Sequence, residues 1–290
     1  MESIQQEIKK LRLTAKRLIH TPSEGSFRTF FHGRGIEFAT LREYVPGDDI
    51  RQIEWNTTAR RGTPYIKTFI EERDLTVMLA IDLSSSMEIK RSVLHRLVAL
   101  LTTLADYHED RIGCLGFTDR IDFFYPPAKG HLQPEKILHQ LLVTRLPNRK
   151  TSIKQALIFL RRVMKKHSIL FLISDFLDRN FEQHLLSLSR KHELVGVHLY
   201  APIESSLPHP AVFDCYDPES GRRILIDGYD SKIRTEYLGF FRQQSQLISK
   251  SFGQSHADLL SLAAAAQAEI QLLQFLRHRQ NARGPLQVKA

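Results

Sequence analysis

Cysteine and tryptophan are scarce: two of the first and one of the second in 290 residues, and no apolar stretch nears the roughly 20 residues a membrane-spanning helix needs. Cys114 and Cys215 sit in strand-like apolar stretches without metal-ligand spacing. Each is therefore expected as a buried free thiol, and nothing calls for an oxidising compartment. The first ten residues are polar and helix-like and lack the apolar core of a secretory signal, so a cytoplasmic location is expected, with no membrane insertion. Also missing are a phosphate-cradling Gly-x-x-x-x-Gly-Lys-Ser/Thr loop, a His-Glu-x-x-His pair and a Gly-x-Ser-x-Gly context around Ser84. The thirteen histidines show no ligand spacing either, and His192 and His198, at one strand candidate, read as packing residues.

What is present is ordinary for a folded protein: 42% hydrophobic and 25% charged residues. The net charge of +9 raises the question of an anionic partner. The cations are dispersed and interrupted by acids, as at Glu71 to Asp74 and His108 to Arg111, so no nucleic-acid binding is expected.

Three regions follow from the patterning. Residues 1–20 place Ile4, Ile8, Leu11 and Ala15 at helical spacing, and 25–69 break into short segments around glycines and prolines; together 1–74 read as an N-terminal helix and a charged segment packed on a main domain. Over 75–280, apolar runs alternate with helical patterns, which predicts a doubly wound α/β domain with a mostly parallel sheet and helices on both faces. The expected strands are 75–82, 111–118, 121–125, 168–175, 194–200 and 257–262; the expected helices are 89–106, 134–146, 153–166, 181–192, 231–250 and 263–279. Asp119 and Arg120 should turn a hairpin at the sheet edge, and 212–227 should form a second hairpin turning at Pro218 to Gly221. Residues 281–290 read as a flexible tail.

The chemistry lies in oxygen donors scattered over nearly a hundred residues. Asp82, Ser84 and Ser86 follow the first expected strand of the main domain, Thr151 opens a helix, and Asp175 closes another strand. Functional groups of open parallel sheets gather at the carboxyl ends of strands, so three loops should converge. Two carboxylates and three hydroxyls, with no thiol or imidazole, suit Mg²⁺ or Mn²⁺. The plainer explanation is that these residues merely cap helices and shape turns.

Asp82 to Ser86, Thr151 and Asp175 resemble the metal-ion-dependent adhesion site of von Willebrand factor A-type domains, in which a divalent ion bridges to an acidic residue of the ligand. The resemblance implies that Asp82, Ser84 and Ser86 are first-loop ligands, Thr151 a second-loop ligand and Asp175 the third-loop acid. The loop before Thr151, Pro147 to Lys150, departs from that pattern in lacking glycine and carrying two cations.

The N-terminal segment is the most distinctive linear stretch. Arg42, Tyr44, Asp48, Asp49, Arg51, Trp55 and Arg60 crowd around a Pro46-Gly47 turn signal, with Ile53 and Trp55 alternating as a half-buried strand would. They predict either an ion-paired network that pins the segment to the main domain or a docking surface. The elements Gly35 to Phe38, Arg42 to Tyr44, Gly47 to Ile53 and Trp55 to Arg60 resemble the hallmark of the bacterial family called domain of unknown function 58, with Glu54 where Asp is common before the Trp. That resemblance implies a von Willebrand factor A-like domain and, as partners, a MoxR-type AAA+ ATPase and other von Willebrand factor A-type proteins. The expected function is a non-enzymatic adaptor that grips a partner's acid through a metal. The alternatives are a metal-dependent phosphohydrolase, with Lys150 meeting phosphate, and a metal-free structural interaction domain.

Overall fold

The apolar runs at 76–82 and 169–174 have no polar face, and such strands belong in a sheet covered on both sides. The computed structural model describes residues 2–20, 36–46, 48–71, 75–145, 149–207, 211–216 and 223–282. In chain order the elements are α1 (Glu2–His20), β1 (Ile36–Glu43), a 3₁₀ turn (Ile50–Gln52), α2 (Trp55–Arg61), β2 (Tyr65–Glu71), β3 (Thr76–Asp82), a second 3₁₀ turn (Ser85–Lys90), α3 (Arg91–Tyr107), β4 (Arg111–Phe117) and β5 (Ile121–Ala128). They continue as α4 (Leu132–Val143), α5 (Ile153–Val163), β6 (Ile169–Ser174), α6 (Glu182–Ser189), β7 (Glu193–Tyr200), α7 (Pro202–Ser205), β8 (Val212–Tyr216), β9 (Arg223–Asp227), α8 (Ser231–Gln254), β10 (Asp258–Ala263) and α9 (Ala268–Ala282). Two compact units result: Met1–Phe31 with Thr76–Ala290, and His32–Leu75.

The larger unit holds a six-stranded sheet in the order β10-β7-β6-β3-β4-β5. All neighbours pair in parallel except β5, which returns antiparallel along the edge beside β4. From β3 the chain builds outward through β4 and β5, then crosses back to β6 and builds the other way. The switch point therefore lies at the carboxyl ends of β3 and β6, where such sheets leave a crevice.

Side chains alternate across the strands. Met78 and Ala80 of β3 and Leu170 and Leu172 of β6 turn to a layer filled from α5, α6 and α8 by residues such as Leu157, Leu185 and Phe252. On the other side lies a layer built around α3, whose Leu97, Leu101 and Leu104 are buried and which packs with α1, α4 and α9. Gly196 of β7 is a socket in this arrangement. A Cβ there would lie 2.3 Å from Phe252 Cε1, so only a bare glycine lets that ring seat on the sheet.

Helix α1 buries Ile8, Leu11, Ala15 and Ile19 on one stripe against α3 and α4. Arg12 on the same helix pairs with Asp106 at 3.0 Å and with Glu135. This helix thus groups with the sheet, while 32–75 stands as a unit of its own. In that smaller unit β1 and β2 form an antiparallel pair with a register shift between Phe38 and Thr40.

Three expectations need correction. The strand through Ile53 and Trp55 is a single bridge from Ile53 to Ile66; at Trp55 the chain turns into α2, which ends on Gly62 in the left-handed conformation (φ 74°). A helix of seven residues with a glycine stop outweighs one bridge, and Trp55 is left 68% exposed. Cys114 is buried, but Cys215 is only half-buried, because β8 and β9 form a separate two-stranded hairpin with no second layer of strands to cover it. The helix expected from 263 begins at Ala268, since Ala264 N–H donates to the Tyr200 carbonyl at 2.7 Å and extends the sheet's bonding first. The turn at Pro218 to Gly221, the Gly33 to Gly35 region, Gly47 and the tail beyond residue 282 lie outside the described residues.

Candidate metal centre

Asp82 is the last residue of β3 and is fully buried. Its Oδ1 accepts the N–H of Ser84 at 2.9 Å, the turn chemistry expected of an aspartate followed by serines. The Thr151 hydroxyl, arriving from the loop before α5, donates to Oδ1 at 3.0 Å and lies 3.1 Å from Oδ2. Ser84 Oγ and Ser86 Oγ face one another at 3.1 Å. The loops are laced together by backbone: Ser85 N–H donates to the Arg149 carbonyl at 3.0 Å, and Arg149 N–H returns to Ser85 Oγ at 2.8 Å. Asp178 from the third loop caps α5 by accepting Ile153 N–H at 2.8 Å.

Asp175 follows β6 and is buried beside this group. It makes no hydrogen bond to Asp82; its Oδ1 accepts Leu177 N–H at 3.3 Å and its Oδ2 accepts Lys90 Nζ at 2.9 Å. The next residue, Phe176, holds a positive φ of 53° while buried against Phe252 and Phe181. A bulky residue in that conformation is strained and persists only where packing enforces it. Here the strain lies beside the functional group, at the switch point.

Burial, aided by the charge of Asp175, lifts the Asp82 carboxyl to about 7 against the hydrogen bonds from Ser174 and Ser84. Burial and a neighbouring like charge both disfavour the ionised form. Lys90 behaves differently. Burial alone would lower its pKa, yet Asp175 and Glu204 outweigh that and hold the ammonium above its ordinary range.

The donors fit a hard divalent cation. Among the described residues no three His, Cys, Asp or Glu side chains are grouped so as to hold a metal ion, so hydroxyls would have to supply much of any coordination here. Ser84, Ser86 and Thr151 offer neutral oxygen, and Asp82 supplies a buried negative charge that a cation would compensate. Asp175 is occupied on both oxygens and would act on a cation only through its field or a bridging water. Beside it opens a cavity of about 150 Å³ walled by His198, Tyr200, Tyr237, Phe240 and Phe241.

Over residues 40–247 the sequence matches the family described as protein of unknown function DUF58. The chain belongs to the DUF58 family. Relatives include uncharacterized proteins of Mycobacterium tuberculosis and Mycobacterium bovis, each 25% identical over 285 residues, covering 94% of this chain and 88% of the relative. Among solved structures, BatB from Bacteroides thetaiotaomicron is similar at 14% identity, covering 70% of this chain and 98% of that one, with a TM-score of 0.44. The SpRpn10 VWA domain is similar at 9% identity, covering 73% and 98%, with a TM-score of 0.39. The DUF58 chain has an α/β fold with a mostly parallel six-stranded sheet flanked by helices. Among its described residues no helix is long and apolar enough to cross a membrane.

The charged DUF58 segment is a local lattice within the smaller unit. Arg42 meets Asp48 through two hydrogen bonds, at 2.8 and 2.6 Å, and Asp48 Oδ2 also accepts Val45 N–H at 2.9 Å. The Arg42 hydrogen bonds hold Asp48 below the usual carboxylate range, and Asp48 raises Arg42 in turn. Tyr44 N–H donates to the Pro64 carbonyl at 2.8 Å. Asp49 caps the first 3₁₀ turn by accepting Arg51 N–H at 3.0 Å. Arg51, Trp55 and Arg60 are exposed.

Sequence reasoning missed three residues of the centre: Ser174, Lys90 and Glu204. Ser174 was findable, as a hydroxyl beside Asp175 at a strand's carboxyl end. Lys90 was not, because the hydropathy order is inverted there: Ile89 is 68% exposed and Lys90 is 0% exposed. Glu204 reaches the centre from α7, far along the chain, with no local pattern to mark it.

Proposed function

We propose that this DUF58 protein is a non-enzymatic adaptor that grips an acidic side chain of a partner through Mg²⁺ or Mn²⁺ held by Asp82, Ser84, Ser86, Thr151 and Asp175. The observation that carries this reading is the meeting of Thr151 with Asp82 beside the paired Ser84 and Ser86 hydroxyls at the switch point. The hydroxyls add ligands without charge, so a bound divalent ion keeps attraction for one more anionic oxygen. In this reading Asp82, Ser84, Ser86 and Thr151 would ligate directly and Asp175 through a bridging water.

The partner we propose is a MoxR-type AAA+ ATPase, with other von Willebrand factor A-type proteins as further candidates. An ATP-consuming partner sets the meeting in the cytoplasm. Arg51, Trp55 and Arg60, exposed on the smaller unit, are proposed as a second docking surface.

Calorimetric titration with Mg²⁺ and Mn²⁺ tests the ion, and capture of the ATPase with and without EDTA tests the partner. Asp82→Ala should abolish both on folded protein. A contact that survives chelation but fades gradually with salt would be a screened charge contact instead. Phosphate release from generic phosphoesters would favour the hydrolase alternative.

A further inference from the structure

Lys90 ends the 3₁₀ turn that follows the Asp82 to Ser86 loop, and its side chain is wholly enclosed. Nζ lies 2.9 Å from Asp175 Oδ2 and 2.9 Å from Glu204 Oε1. Glu204 Oε2 accepts the N–H of Ala201 at 2.7 Å, and Asp175 Oδ1 accepts that of Leu177 at 3.3 Å. The row Glu204, Lys90, Asp175 is thus anchored to backbone at both ends. An enclosed ammonium is costly unless paired, and an apolar side chain would fill the same space without that cost. A role beyond packing is needed to explain it.

Resting on the metal reading above, we propose that Lys90 tunes the centre toward an acidic partner. By neutralising Asp175 it weakens the hold on a lone divalent cation, and it leaves the loaded centre with positive charge to spare for an external carboxylate.

The charge balance carries the argument. Asp82 and Asp175 without Lys90 would balance a divalent ion, leaving a ligand only the attraction of its open coordination positions. With Lys90 paired to Asp175, the same ion leaves up to one positive unit at the crevice, which Glu204, also 2.9 Å from Nζ, offsets in part. Glu204 stands on the far side of Lys90 with its side chain 34% exposed, so water screens it more than the buried Asp175. Lys90 also fixes the orientation of Asp175 by occupying Oδ2, so that this carboxylate would hold the ion through a bridging water and its field rather than directly. It is a positioning residue, acting through Asp175.

The test uses the full chain with Mn²⁺ as probe, followed by electron paramagnetic resonance, with and without acetate. Lys90→Met should bind Mn²⁺ alone about tenfold tighter or more, since an opposing charge is removed near the ion. Acetate should tighten Mn²⁺ binding in the wild type and do so much less in Lys90→Met, as reciprocal coupling requires. Glu204→Gln, which keeps Lys90 but removes its outer counter-charge, should bind Mn²⁺ several-fold more weakly. Lost structure lowers affinity, so tightening in Lys90→Met separates tuning from mere support. If Lys90→Met folds poorly, Glu204→Gln decides: weaker binding supports the proposal and equal or tighter binding overturns it. Wild-type binding unchanged by Lys90→Met would overturn the role of Lys90 and leave the metal reading standing. Absence of Mn²⁺ binding in all three proteins would overturn both.

Discussion

The hydroxyl of Ser174 donates to Asp82 Oδ2 across 2.6 Å, and its oxygen accepts the N–H of Phe176 at 3.0 Å. One side chain thereby ties the end of β6 to the end of β3 and braces the strained residue after Asp175. Ser174→Ala removes a donor that favours the ionised Asp82. Mg²⁺ affinity near pH 7 should fall about three- to tenfold and recover partly near pH 8.5, where the carboxyl ionises regardless. Stability should drop by about 1 kcal/mol. Calorimetry at the two pH values and urea unfolding check both.

Asp82 also sets a pH dependence. Its folded value of about 7 lies above the roughly 3.9 of an unfolded aspartate, so the native chain binds more protons between them. Its contribution is fully present below the unfolded value and is lost as pH rises through the folded one, a change of a few kcal/mol. Asp82→Asn should abolish that slope, read as the difference between wild-type and variant urea curves in EDTA near pH 5 and pH 8. Saturating Mg²⁺ should flatten the wild-type curve, because the ion holds the carboxylate ionised.

His198 works with the opposite sign. Burial, against Asp175 and with Lys90, lowers it to about 4, whereas the unfolded imidazole titrates near 6.5. Stability is present above about pH 6.5 and lost as pH falls through the folded value. His198→Phe should make the fold less acid-sensitive by about 2–3 kcal/mol in unfolding curves taken between neutral pH and about pH 4. A variant with the wild-type acid slope would place the sensitivity elsewhere.

The first helix is part of the main core. Ile19 is 2% exposed, and Ile19→Ala should cost about 2–5 kcal/mol by leaving a cavity. Thermal and urea unfolding should register that loss as one transition shared with the sheet. An early, separate transition would show the helix peeling off alone.

Gly196→Ala should destabilise by about 1–3 kcal/mol, because the added methyl meets the Phe252 ring. Pairing it with Phe252→Leu should recover part of the loss, and a double-mutant cycle measures the coupling.

The sheet was legible because its strands advertise themselves. The uninterrupted apolar runs of β3 and β6 could only be central, and the polar residues that end them mark the carboxyl edge. From those two facts alone, Asp82 and Asp175 could be placed near one another. The hidden parts depended on inverted or distant burial. Lys90 is enclosed while its apolar neighbour is exposed, and no periodicity announces that. Trp55 misled for a related reason: a lone aromatic beside an isoleucine reads as a half-buried strand, yet a glycine seven residues on let a short helix form instead. The charged segment was read as a network from composition, and the two-pronged pair found among its described residues, Arg42 with Asp48, is local to a turn.

Helix α8 is anchored very unevenly. Its only buried residues, Ile248 and Phe252, lie toward its carboxyl end, with the Phe252 ring set against Gly196, while the other end is held by Tyr237 Oη donating to the Ile203 carbonyl at 2.9 Å. Tyr237 stands about 22 Å along the axis from Phe252 at 1.5 Å per residue. The helix is therefore seated firmly at its carboxyl end and tied more lightly elsewhere, by Tyr237 and by the Phe241 ring 5.1 Å from that of Tyr200. Phe240 and Phe241, on the lightly tied part, form one wall of the cleft beside Asp175, so the shape of that cleft depends on the weaker end of the helix.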